Sequence, residues 1–122
     1  MPTCTFEPET REVNGKPCAF VSLAGHLDEK SLAELGAKIE PILAGNHLYL
    51  VLDLGELDLV SSRAVSYLES LHRKLAAAQK RLAFINANEE IREILEFIGL
   101  AKLVTTFEAE ENFWKALDLE EN

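Results

Sequence analysis

Cysteine, glycine and aromatic residues are scarce in this chain. Among 122 residues there are two cysteines, six glycines and one tryptophan, and aromatics make up 7%. Two cysteines, Cys4 and Cys18, form no disulfide framework and no CxxC pair. Asn14-Gly15 reads as a hairpin turn, and residues facing across it would sum to about 29. That places Cys18 opposite Arg11 and leaves Cys4 well away, so free thiols and a reducing cytosol are expected. The glycines are too few and too scattered for a phosphate cradle: GxGxxG, GxxxxGK[ST] and GxSxG are all missing. The three histidines, His26, His47 and His72, make no HxxxH or HExxH and join no cysteine cluster, so no metal site and no cofactor are expected. No apolar run approaches the roughly 20 residues of a membrane span, and no signal-peptide core opens the chain. Cations are also in deficit, with 12 Lys and Arg against 21 Asp and Glu, a net charge of −9 and a pI near 4.8. Nucleic acid and anionic membrane both demand clustered cations, so neither is expected as the main partner.

What is present is a regular alternation of apolar patterns. The length suits one domain filling 1–122, with residues 118–122 an acidic, frayed end. The segment TCTFEPETREVNGKPCAFVSLAG predicts a hairpin whose first strand, carrying Pro8, lies at an edge, and Gly25 ends the pair. Asp28, followed by Ser31, predicts the start of a helix with an apolar stripe of Leu32, Leu35, Ile39 and Leu43, decaying at Pro41 and Gly45. HLYLVLDL, residues 47–54, is continuously apolar, as a central strand covered on both faces must be, and Gly55 with an acidic loop follows. Ser61 or Ser62 caps a second helix striped by Val65, Leu68, Leu71 and Leu75, with cations gathered towards its end. RLAFINA predicts a strand. Asn88 caps a third helix striped by Ile91, Ile94, Leu95 and Ile98 and stopped by Gly99. LVTTF predicts an edge strand, and a final helix carries Phe113, Trp114 and Leu117. The order is β-β-α-β-α-β-α-β-α. It implies an α/β fold with a mixed, largely parallel sheet of about five strands and four helices.

Enzymatic chemistry finds little purchase in this pattern. Glu89-Glu90 sit at a helix start, where the dipole favours acids, and read as helix formers rather than an acid/base pair. The serines are more informative. A capping hydroxyl satisfies one free N–H of the first turn and contributes about 1 kcal/mol, and one serine suffices for that. The second is left over, at the C-terminal end of a central parallel strand and at the positive end of a helix.

Three segments resemble the STAS domain family, shared by bacterial anti-sigma factor antagonists and the cytoplasmic tails of sulphate transporters. FVSLAGHLDEKSLAEL is similar to the family's strand ending in Gly-x-Leu-Asp before the first helix. YLVLDLGELDLVSSRAVSYLESLHRKL is similar to its central strand, Asp-Ser-Ser-Gly turn and second helix. LAFINANEEIREILEFIGLAKLV resembles its late strand and following helix. The resemblance implies a STAS-type single domain without enzymatic activity, a bacterial cytoplasmic regulator that binds an anti-sigma factor serine kinase. It implies that Ser61 is the residue phosphorylated by that partner (Ser62 the alternate), with Ser62 the capping serine of the pair. It implies a partner surface of Asp28, Ser61, Ser62, Arg63, Ser66, Tyr67 and Asn88. Two positions depart from the family turn. Val60 replaces its Asp, removing a carboxylate, and Arg63 replaces its Gly, adding a guanidinium able to hold a phosphate bidentately. Two other readings remain open at this point. One is an unphosphorylated scaffold in a sensory complex or a membrane-transport system, and the other is a nucleotide or lipid site at the same turn. Oligomeric state is not fixed by the sequence, because Phe113 and Trp114 would serve equally for packing inward or against a neighbour.

Overall fold

The computed structural model describes residues 5–13 and 15–120. Cys4 and Asn14 lie outside the described residues, as do residues 121 and 122 of the expected acidic end. A hairpin opens the fold, β1 (Thr5–Val13) against β2 (Lys16–Leu27), antiparallel, with Arg11 opposite Cys18. Gly15 takes the left-handed φ of +78° that a tight hairpin turn demands. Four further units follow: α1 (Glu29–Ala44) with β3 (Tyr49–Val60), α2 (Ser62–Ala77) with β4 (Arg81–Ile85), α3 (Glu89–Ile98) with a one-turn α4 (Leu100–Leu103), and β5 (Thr105–Phe107) with α5 (Glu110–Glu120). The sheet order is β1-β2-β3-β4-β5, with β2 to β5 parallel. The five-stranded mixed sheet therefore matches the expected architecture, with α4 as an additional turn. It begins at Gly99, whose φ of +89° turns the chain sharply out of α3.

Alternation along the strands divides the core into two layers. Leu50, Leu52 and Leu54 of β3 point to one face, with Ala19, Val21 and Leu23 of β2 and Leu82 and Phe84 of β4. The apolar stripes of α1, α2 and α3 close over them, with Leu100 of α4. On the other face Cys18, Phe20, Tyr49, Val51, Ala83 and Ile85 gather around Phe113 of α5. Phe113 is thus the inward residue of the pair left open above, and Trp114 is 40% exposed.

Several boundaries differ from expectation for physical reasons. Strand β3 runs six residues beyond the predicted Leu54, through the acidic stretch expected to be a loop. It keeps its pairing with β2 across two register shifts, and Leu57 and Val60 stay buried within that stretch. Helix α1 continues past Pro41, which sits on its exposed side, to Ala44. Its open end is closed from elsewhere: the Lys80 ammonium donates to the carbonyls of Leu43 (2.8 Å) and Gly45 (2.7 Å). The α1 stripe is also rotated from the one expected. Ser31, Leu35, Ile39 and Ile42 are buried, while Leu32 and Leu43 are half-buried. On α3 only Ile91 and Leu95 are buried, and Ile98 faces outward.

Candidate functional site

Helices α1, α2 and α3 start at the C-terminal ends of β2, β3 and β4. Each first turn leaves N–H groups without intrahelical acceptors, and a side chain must supply one. Asp28 caps α1. Its Oδ1 accepts from the N–H groups of Lys30 (3.0 Å) and Ser31 (3.3 Å), while its own N–H donates to Ser31 Oγ at 2.9 Å. The Ser31 hydroxyl also reaches the His26 carbonyl at 2.9 Å, so this capping box is closed on every side. Asn88 caps α3 and is equally committed. Its Oδ1 accepts from the Ile91 N–H (2.9 Å), and its amide donates to the Leu57 carbonyl (3.0 Å).

The cap of α2 corrects one expectation. Ser61, not Ser62, closes the helix: the Ala64 N–H donates to Ser61 Oγ at 3.1 Å. The reason lies in the strand. The Ser61 N–H still donates to Leu27 of β2 at 2.9 Å, which holds Ser61 at φ −78°, ψ 166°, the extended geometry that a capping residue needs. Ser62 is already the first helical residue and is exposed. Ser61 itself is half-buried.

Arg63 is exposed, and its Nε lies 3.4 Å from a carboxylate oxygen of Glu29, the first residue of α1. Both partners are well solvated, so the pair contributes little stability. It does bring the starts of α1 and α2 together. Ser66, one turn on, is exposed. Tyr67 is half-buried, and its ring lies along the groove between α1 and α2. A Cβ at Gly36 would stand 3.8 Å from the Tyr67 hydroxyl. Glu40, Ser70 and Lys74 help to line this groove of about 190 Å³. Burial pushes the Tyr67 phenol above its ordinary range, and the Glu40 carboxylate adds to the shift. The structure therefore brings Asp28, Ser61, Ser62, Arg63, Ser66 and Tyr67 to one surface. Asn88 serves as the tie between β3 and α3.

A family model described as "Mlab, STAS domain" matches residues 13–105. The chain belongs to the STAS domain family. Solved structures of similar fold include the anti-sigma factor antagonist SpoIIAA in its unphosphorylated form, 21% identical, with a TM-score of 0.76 over 93% of this chain and 96% of that one. The phosphorylated form of the Bacillus cell-fate determinant SpoIIAA is 21% identical, with a TM-score of 0.70 over 93% and 99%. An anti-sigma factor antagonist from Mycobacterium paratuberculosis is 19% identical, with a TM-score of 0.74 over 92% and 93%. At such identities the likeness is one of fold. No curated protein matches this chain.

Within this STAS domain, Val60 closes the last rung of β3 and is buried, so its side chain serves the core rather than the surface. Leu59, missed in the sequence because it sits inside an acidic run, is 45% exposed two residues before Ser61 and pairs in register with His26. The Cys18 side chain is buried beneath α5, away from this surface. Among the described residues no three His, Cys, Asp or Glu side chains gather as metal ligands, and no helix is long and apolar enough to cross a membrane.

Proposed function

We propose that this STAS domain is an anti-sigma factor antagonist. It docks on an anti-sigma factor serine kinase through the start of α2, and phosphate on Ser61 ends that contact. The supporting observation is the state of the three caps. Asp28 and Asn88 have their polar groups engaged in paired contacts, whereas the Ser61 oxygen accepts one bond, from the Ala64 N–H. A phosphoryl group there adds about −1.5 to −2 charges at the positive end of a helix. The helix end tolerates it, and Arg63 supplies a nearby cation for its oxygens. The docked partner meets a dianion on a surface that is already acidic, and repulsion with desolvation weakens the complex. Protein binding, rather than catalysis, is the activity in this reading.

Ser61→Asp tests it. Aspartate caps helices as well as serine does, so the melting temperature should hold. Wild type and Ser61→Asp serve as baits in bacterial lysate, and the affinity of each is then measured for the kinase recovered. The expected result is a kinase held by wild type and bound at least about tenfold more weakly by Ser61→Asp, roughly 1.4 kcal/mol or more. Equal affinity would remove Ser61 as the control point.

A second reading has its own support. The buried Val60 places no carboxylate beside the serine, and Arg63 already pairs with Glu29. Both suit an unphosphorylated scaffold in a sensory or membrane-transport assembly. Recovery of such a component by both baits, without a kinase, would favour it.

A further inference from the structure

Phe97 is 92% exposed. Ile91 and Leu95 turn α3 towards the core, and Glu90, Glu93 and Phe97, spaced three and then four residues apart, run along its outward side. Phe97 lies about 13 Å along the helix axis from the Asn88 cap, at the far end of α3 from the Ser61 surface. The apolar exposure continues with Ile98 at 47%, just before the Gly99 corner, and with Leu103 at 50% past it. Exposed apolar groups grouped in this way mark an interaction surface.

Beside this ridge lies a groove of about 520 Å³ between the end of α2, α4, β4 and β5. Leu82 and Leu103 give it apolar walls, Ala76 leaves it open, and Lys80 and Arg81 line it with cationic groups alongside His72. Lys80 is fixed in place by its bonds to the end of α1. Cations are a minority in a chain of net charge −9, and here they border a groove. The ridge is acidic with an aromatic knob, and the groove is basic with an apolar lining. Leu103 belongs to both.

We propose that a second copy of this chain docks here, with Phe97 of each copy entering the groove of the other. Glu90 and Glu93 then face the cations bordering that groove. In this arrangement each copy gives its ridge to the other and receives the other's in its groove, so the contact is reciprocal and closes as a two-fold dimer instead of extending into a chain. The Ser61 surface stays outside the contact.

Sedimentation equilibrium of the full chain tests this from about 1 μM to about 1 mM, the range in which a modest interface populates both states. Wild type should pass from monomer to dimer mass. Phe97→Glu should raise the dissociation constant at least about tenfold, as expected for an aromatic anchor. Its melting temperature measured at monomeric concentrations should be unchanged, because Phe97 touches little of its own fold. Ala76→Glu, which obstructs the groove and adds a like charge, should act in the same way. A wild type that stays monomeric throughout, or a dimer indifferent to Phe97→Glu, would overturn the proposal. Loss of a different protein partner on Phe97→Glu, with wild type monomeric, would reassign the ridge to that partner.

Discussion

The two faces of the sheet are held by different means. On one, aliphatic residues of β2, β3 and β4, together with Phe84, lie under α1 to α4. On the other, a single helix covers the sheet through Phe113. Its ring meets Phe20, Tyr49 and Phe107 edge-on, with centroids 5.9, 5.5 and 5.6 Å away. Outside that cluster α5 is held by Glu110, which takes a two-pronged bond from Arg11 of β1 at 2.7 and 3.1 Å. That bond, more than the charge of Glu110 or Glu9, holds the Arg11 guanidinium above its ordinary range against a partial loss from burial. Arg11 also stacks on the Phe20 ring, 4.0 Å from its centre. Distributed contacts make the first face a cooperative unit. Among the described side chains the contacts of α5 are concentrated, and that makes the helix separable. The starts of α1, α2 and α3, where the proposed docking surface sits, all belong to the cooperative side.

The contrast can be broken most directly at Phe113. Phe113→Ala should cost about 3–5 kcal/mol, and hydrogen exchange should show protection lost in α5 while α1 to α3 keep theirs. Equal loss everywhere would mean that the faces are one unit. Leu52→Ala, on the cooperative face, should cost about 2–4 kcal/mol, and here protection should fall across α1, α2 and the central strands together. A smaller effect sharpens the picture at the caps. Ser61→Ala should lose about 1 kcal/mol in urea denaturation, and Ser61→Asp close to nothing. Matching losses for the two would show that the hydroxyl does more than cap. The smallest effect concerns pH. The Tyr67 phenol titrates above its unfolded value of 10.0. Below that value both states hold the proton and stability is unaffected. Above it the unfolded chain ionises first, so stability falls as pH rises towards the folded value. Tyr67→Phe should flatten that decline in urea midpoints compared between about pH 9 and pH 11.

Much of this architecture was legible because each element carried its own punctuation. The turn at Gly15 set the Arg11–Cys18 register, Asp28 followed by Ser31 marked the start of α1, and Val65, Leu68, Leu71 and Leu75 lie buried as their spacing requires. The failures came where long-range pairing overrode local signals. Gly55 and the acids after it look like a loop, yet β2 holds them as strand across its bulges. Gly55 also sits in a tight place: a Cβ would stand 3.2 Å from Asn86 Cβ. Which serine caps α2 was not readable from the pair itself, since the answer depends on the bond from Ser61 to Leu27. Ile98 follows the apolar period of α3 but faces outward, because the helix ends there and the chain turns away at Gly99. The one-turn α4 is too short to leave a periodic trace.

The strands stand in the sheet in the order in which they occur in the chain. For a polypeptide made from its N-terminus, every parallel strand therefore emerges beside a neighbour that is already in place, and none waits for a later one to fill a gap. Assembly can follow synthesis, strand upon strand. The exception is the bond between Arg11 and Glu110, which spans 99 residues. It joins the first strand to the last helix and forms only when nearly the whole chain has been made. Nascent chains halted after Phe107 should already resist proteolysis across β1 to β4; the α5 clasp is the latch that closes a sheet already built.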